Sequence, residues 1–168
     1  MRIYFEASSL FKAYWPDPGS ENVEWIMEEI LSPQNVGITS SWSLVEITRG
    51  FCKRRNLGEL SQKEADDAIE FFLNDTRIMT ESKKFVITNI TEEIISRSID
   101  HIREFNLYAA DATHLATAIT TTSHILLVDD RHFQRFKQFP AIQLLQITLP
   151  PNAFQNQLQQ FLHRTGST

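Results

Sequence analysis

Acidic side chains that are far apart in the sequence stand where a metal site would form. Glu6 follows a short β-prone run, Asp111 opens a helix of small residues, and Asp129 and Asp130 follow the apolar run 125–128. In open parallel sheets, ligands bind beyond the carboxyl ends of the strands. Acids delivered there from separate segments would meet in one cleft and hold Mg²⁺, a hard cation that takes oxygen ligands.

Such a cluster suits the hydrolysis of phosphodiester bonds. Bound metal ions activate a water molecule and stabilise the leaving oxygen, so that a group of negative charges becomes a receptor for phosphate. Each acid also has a structural interpretation, because a carboxylate at a helix start complements the helix dipole. Glu46 is the weakest candidate, since a helical wheel pairs it with Arg49 as a solvated ion pair. The residues alone are compatible with both interpretations.

Length and composition are those of an ordinary globular protein. The chain has 168 residues, of which 42% are apolar and 22% charged, and a domain of that size buries about two-thirds of its unfolded surface. Cys52 is the only cysteine, which excludes an internal disulfide and a cysteine-based zinc site. The N-terminus does not have the pattern of a signal peptide, and no apolar run approaches the ~20 residues of a spanning helix. We expect a cytoplasmic protein that does not contact the membrane.

The net charge of −5 argues against a broad basic surface for nucleic acids. Two local groups of cations remain, one at 53–55 and one that begins at Arg131, and cations near a helix end equally complement the dipole. The five histidines lack metal-binding spacing. His114 follows Asp111 by one helical turn, and a structural role is the expected one for it. The sequence contains neither a nucleophile elbow nor a glycine-rich phosphate loop.

Short apolar strands alternate with amphipathic helices along the chain. We predict strands at 2–5, 36–39, 84–88, 125–128 and 142–147, with a short helix between the last two. Helix starts are predicted at Ser20, Ser41, Ser61 (in a capping box) and Thr91. The buried stripes of these helices are predicted to include Leu31, Leu73, Ile95 and Ile99. The alternation predicts an α/β fold in which helices flank a central, mainly parallel, twisted sheet.

The C-terminal segment follows two prolines and is rich in glutamine. Phe154, Leu158, Phe161 and Leu162 nevertheless share one helical face, which would pack on the rest of the chain or on a partner. We interpret residues 1–148 as one domain and 149–168 as a helical tail of the same domain.

Four segments of the chain resemble the PIN-domain family, in particular its toxin ribonucleases of the VapC type. They are RIYFEASSLFKAY, SSWSLVEITRGF, LYAADATHLATAI and LLVDDRHF, in the family's order and approximate spacing. The resemblance extends from Arg2 to about Ile147. It implies a PIN-like fold and a Mg²⁺-dependent endoribonuclease, with Mn²⁺ as the alternative metal. In such enzymes the metal activates water for attack on RNA, without a covalent enzyme intermediate.

The resemblance also assigns residues by position. The metal-binding catalytic acids would be Glu6, Glu46, Asp111 and Asp130, supported by Ser8 and Asp129, and the cations expected to contact RNA are Arg49, Lys53 and Arg131. Asp130 matches the acid of the family's final motif, whereas Asp129 matches a position of that motif at which the residue type varies. The family's first acid is normally Asp. Glu6 carries its carboxylate one methylene further from the backbone, which shifts the coordination geometry.

Partners are implied by the same resemblance. VapC-like proteins are usually neutralised by a small partner protein and often dimerise, so we expect an antitoxin and a homodimer besides the RNA substrate. Because Glu6 replaces the Asp that the family normally has at this position, a second function is open. In that function the same fold binds RNA or protein partners and its cleavage of RNA is impaired. Metal-dependent RNA cleavage by the isolated protein distinguishes the two.

Overall fold

The computed structural model describes residues 1–129 and 142–165, with side chains as far as Phe161. Within these residues, parallel strands form a single sheet: β1 (Arg2–Phe5), β2 (Val36–Ser40), β3 (Phe85–Thr88), β4 (Ile125–Val128) and β5 (Gln143–Gln146). Their order is β3-β2-β1-β4-β5. The chain therefore places β2 and β3 on one side of β1 and then β4 and β5 on the other side, so that the strand order reverses between β1 and β4. Open α/β sheets bind ligands in the crevice at such a reversal.

Both faces of the sheet are apolar because helices cover both. Ile3 and Phe5 of β1 belong to the core on one face, and Tyr4 belongs to the core on the other. Every residue of β4 is buried. All-parallel sheets are covered in this way on both faces. The predicted α/β fold with a mainly parallel sheet is confirmed, and each predicted strand agrees with an observed one to within one residue at each end.

The helices divide between the two faces. Those in the described residues are α1 (Ala7–Phe11), α2 (Ser20–Glu29), α3 (Ser41–Asn56), α4 (Gln62–Glu81), α5 (Glu92–Phe105), α6 (Ala109–Thr120) and α7 (Pro151–Thr165). α1 to α4 and α7 pack on one face, and α5 and α6 on the other. The short helix α1 was not predicted, and the short helix predicted between β4 and β5 lies outside the described residues. None of the helices described here has the length and hydropathy of a membrane span.

Two predicted helix starts are confirmed by their capping hydrogen bonds. Ser61 and Glu64 form a reciprocal capping box at the start of α4. The Thr91 hydroxyl accepts from the Ile94 amide at 3.3 Å at the start of α5. Both caps satisfy amide groups that the first helical turn leaves without a partner.

Two other predicted starts are wrong by one residue. Ser40, not Ser41, caps α3, and its hydroxyl accepts from the Ser43 amide at 3.2 Å. Gly19, not Ser20, precedes α2, with a φ of 95°. A Cβ at Gly19 would lie 2.6 Å from the Ile147 carbonyl oxygen, so the close approach of β5's end requires glycine there.

Some predicted core positions are exposed instead. They are Leu31, Leu73, Ile95 and Ile99. On α5 the buried residues are Ile94 and Ser98, one position earlier in the sequence. α5 packs chiefly against α6 and therefore buries a narrow stripe. Leu31 lies past the end of α2, where the helical periodicity no longer applies.

The last helix packs on the body of the chain. Phe154, Leu158 and Phe161 are buried in the core that also contains Val23 of α2. The Asn22 side-chain amide donates to the carbonyls of Ile147 and Leu149, at 2.7 and 2.8 Å. These bonds fix the segment that leads from β5 into α7.

Candidate functional site

An acidic cleft of about 430 Å³ lies at the strand-order reversal between β1 and β4. Glu6 follows the end of β1 directly, and Asp129 follows the end of β4. Glu46 of α3 and Asp111 in the first turn of α6 line the same cleft. Helices from both faces of the sheet thus contribute acids to the edge where the two central strands end.

The structure brings together most of the residues that the sequence singles out. Glu6, Ser8, Glu46, Asp111 and Asp129 all line the cleft, with His114 as a further lining residue. Arg49 and Lys53 are exposed on α3, one and two turns after Glu46. Asp130 and Arg131 lie outside the described residues.

Glu6 is buried at the base of the cleft. The Ser8 hydroxyl donates to Glu6 Oε1, while Glu6 Oε2 is buried without a hydrogen-bond donor among the described residues. Burial raises the pKa of Glu6 to about 7, and the carboxylates of Asp111 and Asp129 act in the same direction against the effects of His114 and Ser8. A cation in the cleft would favour the ionised form of this carboxyl.

Lys12 brings a positive charge to the same region. Its ammonium group lies 2.9 Å from Asp129 Oδ2 and also donates to the Pro18 carbonyl. Lys12 is only 4% exposed. Sequence reasoning missed this residue. The signal that was available is a single lysine in the otherwise apolar stretch from Leu10 to Trp15.

Glu46 is bound by a histidine rather than by the arginine that the helical wheel suggests. His114 Nε2 lies 2.8 Å from Glu46 Oε2, and His114 Nδ1 lies 3.0 Å from the Tyr4 hydroxyl. His114 is 1% exposed and hydrogen-bonded, as expected of a packed histidine, and it also contacts a predicted site acid. The contribution of Tyr4 could not be found from the sequence, where it appears as an ordinary strand residue.

The donor set of the cleft fits a hard divalent cation by its chemistry. Carboxylates are the protein ligands that Mg²⁺ takes, and the buried Glu6 Oε2 has a lone pair to offer. Within residues 1–129 and 142–165, no group of three or more Asp, Glu, His or Cys side chains is already arranged to hold a metal ion. The fit therefore rests on ligand type and burial.

Comparison with protein families agrees with the fold. Residues 3–138 match the family model described as the PIN domain. A comparison with curated proteins finds no significant match.

Several solved structures have the same fold. A toxin–antitoxin complex from Klebsiella pneumoniae aligns with a TM-score of 0.55 and 18% identity, over 83% of this chain and 94% of that one. VapBC2 from Rickettsia felis, bound to a DNA fragment from its promoter, aligns with a TM-score of 0.59 and 16% identity, over 87% and 98%. VapC20 from Mycobacterium tuberculosis, a sarcin-ricin loop cleaving toxin, aligns with a TM-score of 0.56 and 14% identity, over 79% and 93%.

Proposed function

This chain belongs to the PIN domain family, and on that premise we propose that it is a metal-dependent endoribonuclease, the toxin of a type II toxin–antitoxin pair. The observation that carries the proposal is the convergence of Glu6, Glu46, Asp111 and Asp129 on one cleft at the strand-order reversal. Four carboxylates in one cleft repel each other and any phosphate unless a cation accompanies them. Hydrolysis of a phosphodiester is the chemistry that such a cation and its ligands support.

The acids have distinct roles in this proposal. Glu6, Glu46 and Asp111, together with Asp130 of the final family motif, would hold Mg²⁺ or Mn²⁺. When bound, the metal supplies an activated water and neutralises charge on the phosphate. Ser8 holds one oxygen of Glu6 and leaves the other available to the cleft. Lys12 neutralises Asp129, which reduces the negative charge that an approaching phosphate meets.

The RNA backbone would follow the exposed cations of α3. Arg49 and Lys53 lie on the same side of that helix as Glu46, at spacings of three and seven residues, and both are exposed. They would bind phosphates that flank the cleaved bond, and Arg131 would add a third contact. Because the chain is acidic overall, with a net charge of −5, binding should depend on this local set.

RNA cleavage by the purified chain tests the proposal. With single-stranded RNA we expect cleavage in Mg²⁺ or Mn²⁺ and none in EDTA. Asp111→Asn should reduce the rate by about 100-fold or more, since even the loss of residues that only orient metal ligands costs about 10–100-fold. Glu70→Gln, an exposed carboxylate on α4, is the matched control and should leave the rate unchanged. Equal cleavage by Asp111→Asn, or cleavage that persists in EDTA, would refute the mechanism.

A binding module with impaired cleavage is the second candidate function. It is favoured by Glu6 at the position where the family normally has Asp. Under this alternative the wild-type protein binds RNA or a protein partner and cleaves no RNA with either metal. Glu6→Asp would then gain cleavage, whereas it should give no such gain if the wild-type protein is already an active nuclease.

We also propose the partners and the compartment. Two of the similar structures are toxin–antitoxin complexes, which supports a small antitoxin that neutralises this chain.

Ile95 and Ile99 expose an apolar strip on α5, which supports pairing of two copies into a homodimer. The single cysteine suits the reducing cytoplasm. Light scattering of the wild-type protein and of Ile99→Lys tests the dimer, which the charged variant should weaken.

A further inference from the structure

His114 has an unusual position between the core and the acidic cleft. It is almost completely buried, and both of its ring nitrogens are within hydrogen-bond distance of another side chain. Glu46, by contrast, has a flexible side chain that is 28% exposed. A histidine with both nitrogens engaged has a fixed ring, so the bond from Nε2 limits where the Glu46 carboxylate can lie.

The direction of these hydrogen bonds follows from the groups involved. An ionised Glu46 can only accept, so His114 Nε2 must carry the proton and donate to Oε2. In a neutral ring Nδ1 is then an acceptor, and the Tyr4 hydroxyl donates to it. Tyr4 is fully buried in the central strand, which makes it a rigid support. The Glu46 carboxylate thus selects the tautomer, and the Tyr4 hydroxyl satisfies the remaining ring nitrogen as a donor.

The same contacts connect elements on opposite faces of the sheet. His114 belongs to α6, which packs on one face, and Glu46 belongs to α3, which packs on the other. Asp111 lies one helical turn before His114 on α6. The bond between His114 and Glu46 therefore sets the position of the Glu46 carboxylate relative to Asp111.

We propose that His114, supported by Tyr4, is a positioning residue that holds the Glu46 carboxylate in place for a divalent cation bound in the cleft. The inference rests on the proposed function, because that function makes Glu46 a metal ligand. Both ring nitrogens of His114 are engaged by Tyr4 and Glu46, so His114 would act through Glu46 and not as a ligand itself. The hydrogen bond from His114 keeps the Glu46 carboxylate at a fixed position. Residues that are hydrogen-bonded to metal ligands commonly orient those ligands in this way.

Mn²⁺ titration of the metal-free protein by calorimetry tests this role without RNA. His114→Leu should weaken Mn²⁺ binding by about 10-fold or more. Tyr4→Phe, which keeps the ring and removes one hydroxyl, should weaken it less. His114→Gln keeps a donor that can reach Glu46 and should recover most of the affinity. His101→Gln, a change at a partly buried histidine on the neighbouring helix α5, is the control and should leave the affinity unchanged.

A double variant separates positioning from general damage to the fold. If His114 acts through Glu46, His114→Leu should cost little Mn²⁺ affinity in a Glu46→Gln background, because the two losses are not additive. Additive losses, or wild-type Mn²⁺ affinity in a folded His114→Leu protein, would overturn the proposal.

The tautomer gives a readout that needs neither metal nor activity. Long-range ¹H–¹⁵N correlation spectra of the metal-free protein should show His114 protonated at Nε2 and bare at Nδ1. The opposite tautomer would overturn the inference even if the protein cleaves RNA. If the wild-type protein binds no Mn²⁺, the proposed function fails, and the spectra still decide whether His114 donates to Glu46.

Discussion

Lys12 Nζ lies 2.9 Å from Asp129 Oδ2 and links the two halves of the chain at the edge of the acidic cleft. Lys12 is the C-cap residue that follows α1, and Asp129 follows the last residue of β4. A buried ammonium group is unfavourable unless it is paired and hydrogen-bonded. Asp129 and the Pro18 carbonyl satisfy that requirement here. The pair therefore fixes the end of α1 against the strand that delivers Asp129.

Removing the charge of Lys12 should destabilise the protein. Lys12→Met leaves Asp129 without its cation beside other carboxylates, and we expect the free energy of unfolding to fall by about 2 kcal/mol. Urea unfolding in EDTA measures this loss. Lys63→Met, which removes a fully exposed ion pair with Asp67 on α4, is the control and should have almost no effect. Equal losses in the two variants would contradict a structural role for the buried pair.

The stability of the metal-free protein should depend on the ionisation of Glu6. The pKa of Glu6 is about 7 in the folded protein, against 4.5 as its ordinary value, so the folded state prefers the protonated carboxyl. The protonated Glu6 carboxyl therefore contributes its full stabilisation of the folded state below pH 4.5. This contribution to the free energy of unfolding, on the order of 3 kcal/mol, is lost as pH rises through 7. Glu6→Gln should remove that part of the decline.

Urea unfolding at pH 5 and pH 8 in EDTA measures the effect. The fall in stability between the two pH values should be smaller in Glu6→Gln than in the wild-type protein, because glutamine does not titrate. Glu70→Gln, at an exposed position, should keep the wild-type difference. If Glu6→Gln loses as much stability on raising the pH as the wild-type protein, Glu6 does not titrate in this range.

The cations of α3 should contribute to RNA affinity. Replacing both Arg49 and Lys53 by glutamine should weaken binding to single-stranded RNA, because each cation that binds a phosphate releases counterions. The slope of log affinity against log salt should fall by about 0.7 for each phosphate that the variant no longer neutralises. Fluorescence anisotropy in an Asp111→Asn background avoids cleavage during the measurement. Arg77→Gln, on the exposed side of α4, is the control. An unchanged salt slope in the double variant would place the RNA elsewhere.

Phe154 should anchor the C-terminal helix to the core. It is fully buried and packs edge-on against Trp25, with ring centroids 6.3 Å apart. Phe154→Ala should lower the free energy of unfolding by about 3–5 kcal/mol, the usual range for a buried phenylalanine. Leu31→Ala, at a position that is 61% exposed, should change it little. If thermal unfolding shows similar small effects for both, α7 folds separately from the sheet.

Much of the fold was predictable because the strand pattern is strong. The run Ile125–Val128 is entirely apolar, as expected of a strand that is covered on both faces, and it pairs with β1 at the centre of the sheet. Capping residues also act locally, so Ser61 and Thr91 could be identified from their neighbours. The exposed positions of Ile95 and Ile99 could not, because their burial depends on how many elements pack against α5.

The candidate site was predictable only in part, for a related physical reason. Asp111 was found from its motif and its place at a helix start, and Glu46 from family resemblance alone. The contacts of Lys12 with Asp129 and of His114 with Tyr4 join residues that are distant in sequence. No local pattern encodes such pairs, because they exist only after β1, β4 and α6 have come together.

The pairing of β1 with β4 also affects when the site is formed during synthesis. Phe5 lies opposite Leu127 in the sheet, so β1 must wait for β4, which is translated much later. Contacts between residues so distant in sequence form slowly, because a long loop must close first. A nascent chain would carry Glu6 outside the ribosome while Asp129 is still to be added. This order of synthesis leaves the acidic cleft incomplete until β4 and Asp129 have been translated.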